Sequence, residues 1–144
     1  MYKNIIFLDL YGVLITPKSQ MRTVGFSTFD KEAVILLREI VEKFSIQLVL
    51  TSTIRLTVDW KERMYELFEE AGWKNPPIAD RTPHGYGIRG DEIAEWLKEN
   101  EVNKYVILDD HNDMHTEQQD RLVLCNSRYG LTRVEVKEVE KKFL

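Results

Sequence analysis

Four consecutive apolar residues, Ile5-Ile6-Phe7-Leu8, run without polar alternation and stop at Asp9. A strand with one face in water alternates apolar and polar residues. A short unbroken run needs apolar cover on both faces, which is the situation of a strand inside a parallel sheet. Parallel neighbours need crossovers of a dozen or more residues, usually helical, so this run also demands helices between strands. The chain supplies both. Residues 46–50, 105–108 and 122–124 read as strands of the same kind, and Ile78-Ala79 as a further short one.

Between them lie amphipathic stretches. Asp30 is a good N-cap, and Phe29 and Val34 have the spacing of a hydrophobic staple. Ala33, Val34, Leu37, Ile40, Val41 and Phe44 then share one helical face. Residues 59–71 carry the stripe Trp60, Met64, Leu67, Phe68 and Ala71, followed by Gly72 as a natural C′ residue. Residues 91–99 turn Ile93, Trp96 and Leu97 inward. A last helix starts at Thr132, which has capping-box spacing to Glu135, and faces the core with Val136, Val139 and Phe143.

The order is β-α-β-α-(β)-α-β-β-α. This predicts an α/β fold: a three-layer, Rossmann-like, doubly wound and mainly parallel sheet. With 144 residues the chain is expected to form one domain, residues 1–144. A 43% hydrophobic and 31% charged composition excludes wholesale disorder. The net charge of −4 argues against a chain-wide attraction to nucleic acid or anionic membrane, and no aromatic-basic cluster offsets it. No apolar run approaches a membrane span and no signal peptide opens the chain, so no membrane association is expected. The single cysteine, Cys125, reads as a buried thiol in a strand, and a cytoplasmic location is expected.

Ligands of such sheets bind beyond the carboxyl ends of the strands. Asp9 follows the first run, Thr51, Ser52 and Arg55 follow the second, and Asp109, Asp110 and Asp113 follow residues 105–108. Arg89 opens the helix ahead of that strand. This set suits phosphoryl transfer. A carboxylate can attack phosphorus to give an aspartyl phosphate. Neighbouring carboxylates repel, and Mg²⁺ relieves that repulsion and neutralises the transferring group. Hydroxyls and a guanidinium can hold the remaining phosphate oxygens. Gly12 lets the chain turn sharply after the first strand.

These residues resemble the haloacid-dehalogenase-like (HAD) superfamily. Ile5 to Leu14, with Asp9-Leu10-Tyr11-Gly12-Val13-Leu14, resembles its first motif, and Leu48-Val49-Leu50-Thr51 the second. Arg89 is placed like the basic residue of the third, and Val106-Ile107-Leu108-Asp109-Asp110 with Asp113 resembles the fourth. A narrower resemblance is carried by residues 50–55, Thr82-Pro83, Arg89-Gly90-Asp91-Glu92-Ile93 with Trp96-Leu97, and Gly130-Leu131-Thr132. These are similar to the compact HAD domain of bacterial multidomain RNA-repair proteins and its stand-alone relatives.

The resemblance implies a Mg²⁺-dependent phosphohydrolase. Asp9 is then nucleophile and metal ligand, and the backbone carbonyl of Tyr11 a second ligand. Thr51 binds phosphate, with Ser52 as the fallback one residue on, and Arg55 reaches phosphate or substrate. Arg89 stabilises the transferring phosphoryl group. Asp109 is the metal ligand of the fourth motif, with Asp110 and Asp113 as helpers. No cap domain fits in residues 13–29 or 56–88, so a capless or minimally capped, open site is expected, with the loop 80–90 able to cover it. Such a site implies large phosphorylated substrates such as nucleic-acid ends.

One position departs from the family pattern. Most phosphatases of the superfamily carry a second Asp where this chain has Tyr11. That Asp serves as acid for the leaving group and base for water, whereas a phenol ordinarily titrates near pH ~10 and is a poor base at neutrality. Losing such a group costs ~10²–10⁴ in rate. Three routes remain open: a good leaving group, a substitute acid from His84, His111 or His115, or a module that binds a phosphate group or a partner without turnover. Phosphotransfer that dispenses with the second Asp is a further option.

Overall fold

The computed structural model describes residues 1–20 and 27–144. Five strands form one sheet: β1 (Tyr2–Leu8), β2 (Gln47–Leu50), β3 (Ile78–Arg81), β4 (Val102–Asp109) and β5 (Leu122–Leu124). Their order is β3-β2-β1-β4-β5, and all four pairings are parallel. The sheet is therefore wholly parallel, where the sequence reading had it mainly so. The helices are α1 (Pro17–Gln20), α2 (Lys31–Phe44), α3 (Trp60–Glu70), α4 (Arg89–Glu99) and α5 (Arg133–Phe143). Short 3₁₀ helices cover Thr53–Leu56 and Thr116–Arg121.

The central strands explain their own apolar runs. Ile6, Leu8, Leu48, Leu50, Val106 and Leu108 point to one face, where they pack with apolar side chains of α2, α3 and α5. Ile5, Phe7, Val49 and Ile107 point to the other and meet Ile93 and Trp96 of α4. Both faces of β1 are thus dry, and an alternating sequence there would bury polar side chains. The layers are unequal, with three long helices on one side and α4 on the other.

Helix ends follow the sequence signals. Asp30 caps α2 by accepting from the Glu32 N–H at 3.0 Å, and both members of the staple, Phe29 and Val34, are buried. Thr132 and Glu135 form their capping box at α5. One helical boundary and one whole helix differ from expectation. α4 starts at Arg89, two residues early, because the Asp91 carboxylate reaches back to the Ile88 N–H at 3.0 Å and closes the first turn without an ordinary N-cap side chain. The short α1 was not anticipated. Its signal is Thr16 ahead of Pro17, with the Ser19 hydroxyl accepting from the Thr16 N–H at 2.9 Å. Cys125 is buried as expected but lies one residue beyond β5, and burial pushes its thiol well above the usual range.

The strand order reverses between β1 and β4. Leu8 pairs with Leu108, so the chain leaves these adjacent strands at Asp9 and Asp109. That is the switch point at which doubly wound sheets bind ligands.

Candidate active site

The Asp9 N–H donates to the Leu108 carbonyl at 3.1 Å, which sets the two strand ends level. Arg89 reaches them from the first position of α4. Its Nη1 lies 3.1 Å from Asp9 Oδ1, 3.0 Å from Asp109 Oδ2 and 3.3 Å from Thr51 Oγ1. One guanidinium nitrogen therefore gathers side chains from the ends of β1, β2 and β4. Asp9, Thr51 and Asp109 are all buried.

Charge is unbalanced there. Burial is the larger influence on Asp109, and the Asp9 charge adds to it; together they raise its carboxyl to about 7. Asp9 is raised as well, mainly by burial, against the pull of Arg89. Burial disfavours the charge on Arg89, but the carboxylates of Asp9 and Asp109 outweigh it and hold the guanidinium above its usual range.

Asp110 extends the acidic group. Ligand atoms of Asp109, Asp110 and His111 all lie within 4.8 Å of one another. His111 Nδ1 is 2.8 Å from Asp110 Oδ1, and the His111 N–H donates to Asp109 Oδ1 at 3.0 Å. The Asp110 carboxylate lies against Gly12, whose φ is +80°; a Cβ at that residue would collide with it. Asp113 is exposed, and its contribution through the backbone is a carbonyl that accepts from the Gly90 N–H at 3.0 Å. Gly90 is needed for that approach, since a Cβ there would fall 2.8 Å from the His115 backbone nitrogen. Tyr11 is 48% exposed. Its backbone bridges to Ile15 in a turn where the Leu10 carbonyl accepts from Val13, Leu14 and Ile15.

Arg55 corrects the expectation that it reaches phosphate. It is 2% exposed, and all five of its N–H groups are engaged inside the protein. Nε donates to the Thr82 carbonyl at 3.0 Å, and Nη1 to the carbonyls of Thr51 at 2.8 Å and Ser52 at 3.0 Å. Nη2 donates to the Pro83 carbonyl at 3.2 Å and to Glu92 at 2.9 Å. No donor is left for a ligand. Arg55 is a clamp that ties the ends of β2 and β3 to α4, and its partner Glu92 was missed as a site residue. The readable signal was Glu92 three residues after Arg89, one helical turn along α4. Ser52 is also buried, and its hydroxyl has no hydrogen-bond partner among the described residues.

The three histidines part company. His111 touches the acidic group. His115 is bound through Nε2 to Asp91 at 2.5 Å, and His84 lies 3.5 Å from Glu92. Tyr86, in the loop expected to cover the site, instead lines a cleft between the end of β3 and α4, with Asp80, Thr82, Glu95 and Glu99.

The donor set fits a hard divalent cation. Asp9, Asp109 and Asp110 offer carboxylate oxygens beside a single guanidinium, the oxygen-rich set that a hard divalent cation prefers. No helix among the described residues is long and apolar enough to cross a membrane.

A search of curated proteins and a search of solved structures each gave no match. The family model described as the HAD domain in Swiss Army Knife RNA repair proteins matches residues 5–136, a span that contains every site residue named above. No cap domain is present among the described residues. The chain therefore belongs to the family of capless HAD domains found in Swiss Army Knife RNA repair proteins.

Proposed function

We propose that this protein is a Mg²⁺-dependent phosphohydrolase working through an aspartyl phosphate on Asp9, with nucleic-acid ends or other large phosphorylated molecules as substrates. The observation that carries the reading is the convergence on Arg89 Nη1, within 3.3 Å of Asp9, Asp109 and Thr51. A nucleophile, a cationic stabiliser and a hydroxyl for phosphate stand within one phosphoryl group's reach. The family's RNA-repair setting and the lack of a cap among the described residues support a large substrate.

Asp9 attacks phosphorus, the bond to the leaving oxygen breaks, and water then attacks the aspartyl phosphate to release phosphate and restore Asp9. Arg89 holds equatorial oxygens through both steps, and the Thr51 hydroxyl supplies a further contact. Asp9, the Tyr11 carbonyl, Asp109 and Asp110 would hold Mg²⁺, with Asp113 behind them. When bound, Mg²⁺ supplies charge neutralisation of the transferring group.

The test is Mg²⁺-dependent hydrolysis of p-nitrophenyl phosphate, whose leaving group needs little acid help. Expected is activity that EDTA abolishes and Asp9→Asn lowers by at least ~10³-fold. Activity that survives Asp9→Asn overturns the mechanism. Tyr11 favours a second reading, a module that binds phosphate without turnover. Phosphate or metal binding with no hydrolysis above the Asp9→Asn control would select it.

A further inference from the structure

Beside the nucleophile lies a pocket of about 430 Å³ whose wall includes Leu10 and Tyr11 on one side and Thr53 and Ile54 on the other. Leu10 and Tyr11 directly follow Asp9, and Thr53 lies two residues past Thr51, so the chain brings the wall of the pocket next to the place where a phosphoryl group would sit. Its lining also holds Ser27 and Arg63. Arg63 has no ion-pair or side-chain hydrogen-bond partner among the described residues. Arg38, Arg55, Arg89 and Arg133 each pair with a carboxylate, whereas Arg128 is, like Arg63, exposed and without either kind of partner among the described residues.

We infer that this pocket seats the leaving group and that the leaving group is itself a phosphate: the substrate bears a terminal phosphoanhydride. The inference rests on the phosphohydrolase reading and deepens it. Two observations meet here. The residue two beyond the nucleophile is a tyrosine, so the site is built for a leaving group that departs without a strong acid. The pocket next to that tyrosine presents an uncommitted guanidinium and hydroxyls, the donors that recognise phosphate.

The chemistry balances without a co-reactant other than water. The bond from the terminal phosphorus to its bridging oxygen breaks as the bond to Asp9 forms. The bridging oxygen leaves with its electron pair on the inner phosphate, whose second ionisation lies near pH ~6, so it needs no proton at neutrality. Water then returns Asp9 and orthophosphate. An alkyl phosphate would expel an alkoxide and does need the missing acid. A free nucleoside diphosphate and a polynucleotide with a 5′-diphosphate share this chemistry.

The experiment compares Mg²⁺-dependent phosphate release from ADP, AMP, a 5′-diphosphorylated oligonucleotide and p-nitrophenyl phosphate. Expected is an anhydride rate above that of AMP by ~10² or more; equal rates overturn the inference. The better of the two anhydrides identifies the source. Arg63→Ala should lower the ratio of kcat/KM for the anhydride to that for p-nitrophenyl phosphate about tenfold, within the range for losing one charge-assisted contact. An unchanged ratio removes Arg63 from the pocket's role and overturns the assignment. If no substrate turns over, the phosphohydrolase reading fails, and the pocket is tested by binding. Methylenediphosphonate with Mg²⁺ should then bind more tightly than orthophosphate, with the difference lost in Arg63→Ala. Equal binding of the two anions overturns the pocket assignment as well.

Discussion

Arg55 and Arg89 stand on the same rim of the sheet, each beside a carboxylate, and each looks like a phosphate ligand in the sequence. Their surroundings are opposite. Arg55 meets one charge, Glu92, and four backbone carbonyls, so both its charge and its donors are satisfied. Burial pulls its guanidinium below the usual range and Glu92 only partly restores it. Arg89 faces Asp9 and Asp109 through one nitrogen, with Asp113 adding its charge, and is held above its usual range. A saturated fork in a neutral setting fixes backbone. An unsaturated one amid surplus negative charge is poised to meet a phosphate and a cation. The two are linked: Arg55 grips the Thr51 carbonyl, and Arg89 touches the Thr51 hydroxyl.

The sharpest way to break this contrast is to remove each guanidinium. Arg55→Ala leaves Glu92 buried without its partner, which costs about 3–5 kcal/mol for a buried pair, a fall in Tm on the order of 10 °C for a chain of this size. Thermal unfolding checks it. Arg89→Ala should act mainly on rate. A preorganised donor to a developing oxyanion is worth ~10²–10³ in kcat, with a smaller loss in Tm than Arg55→Ala. If Arg55→Ala kept its Tm and lost rate alone, the division of labour would be reversed.

Much of the fold was legible because burial on both faces leaves so plain a mark. Ile5 to Leu8 could belong only to an inner strand, and its carboxyl end pointed to Asp9. The caps at Asp30 and Thr132 were legible because one side chain satisfies one backbone group nearby. Strand order was not, since nothing local in residues 102–109 says that this strand lies beside β1. The roles of Arg55 and Glu92 were hidden for the same reason. A guanidinium's function depends on which carbonyls surround it, and those of Thr82 and Pro83 come from the end of another strand. The early start of α4 was hidden because its first turn is closed from within, by Asp91 onto the Ile88 N–H.

Burial of Asp109 beside the Asp9 charge should make metal-free stability fall as pH rises. The Asp109 carboxyl titrates near 7 in the folded protein and near ~3.9 in an unfolded chain. Between those values the native state holds the extra proton, so stability falls as pH rises through about 7. His111 works in the same direction, because Asp110 raises its imidazole; that contribution is present at low pH and lost as pH rises through the folded value. In EDTA, Tm should drop by several degrees from pH 5 to pH 8, on the order of 1–2 kcal/mol. Mg²⁺ should restore more at pH 8 than at pH 5, since it binds the ionised form, and Asp109→Asn should flatten the profile. A Tm that is level across this range in EDTA would mean that the carboxylates are already balanced.

The smallest expected effect separates the two adjoining hydroxyls. Ser52 offers its carbonyl to Arg55 at 3.0 Å, yet its own hydroxyl is buried with no partner among the described residues. Thr51, one residue earlier, has its hydroxyl 3.3 Å from Arg89. An unpartnered buried hydroxyl loses its water on folding and gains nothing in exchange. Ser52→Ala should therefore be neutral or stabilising by up to ~1 kcal/mol, and should leave the KM for aryl phosphate within twofold. Thr51→Ala should raise that KM severalfold with little change in Tm. Should Ser52→Ala raise KM and Thr51→Ala not, the phosphate contact sits one residue further along the loop, and the Ser52 hydroxyl is unpartnered because its partner is the substrate.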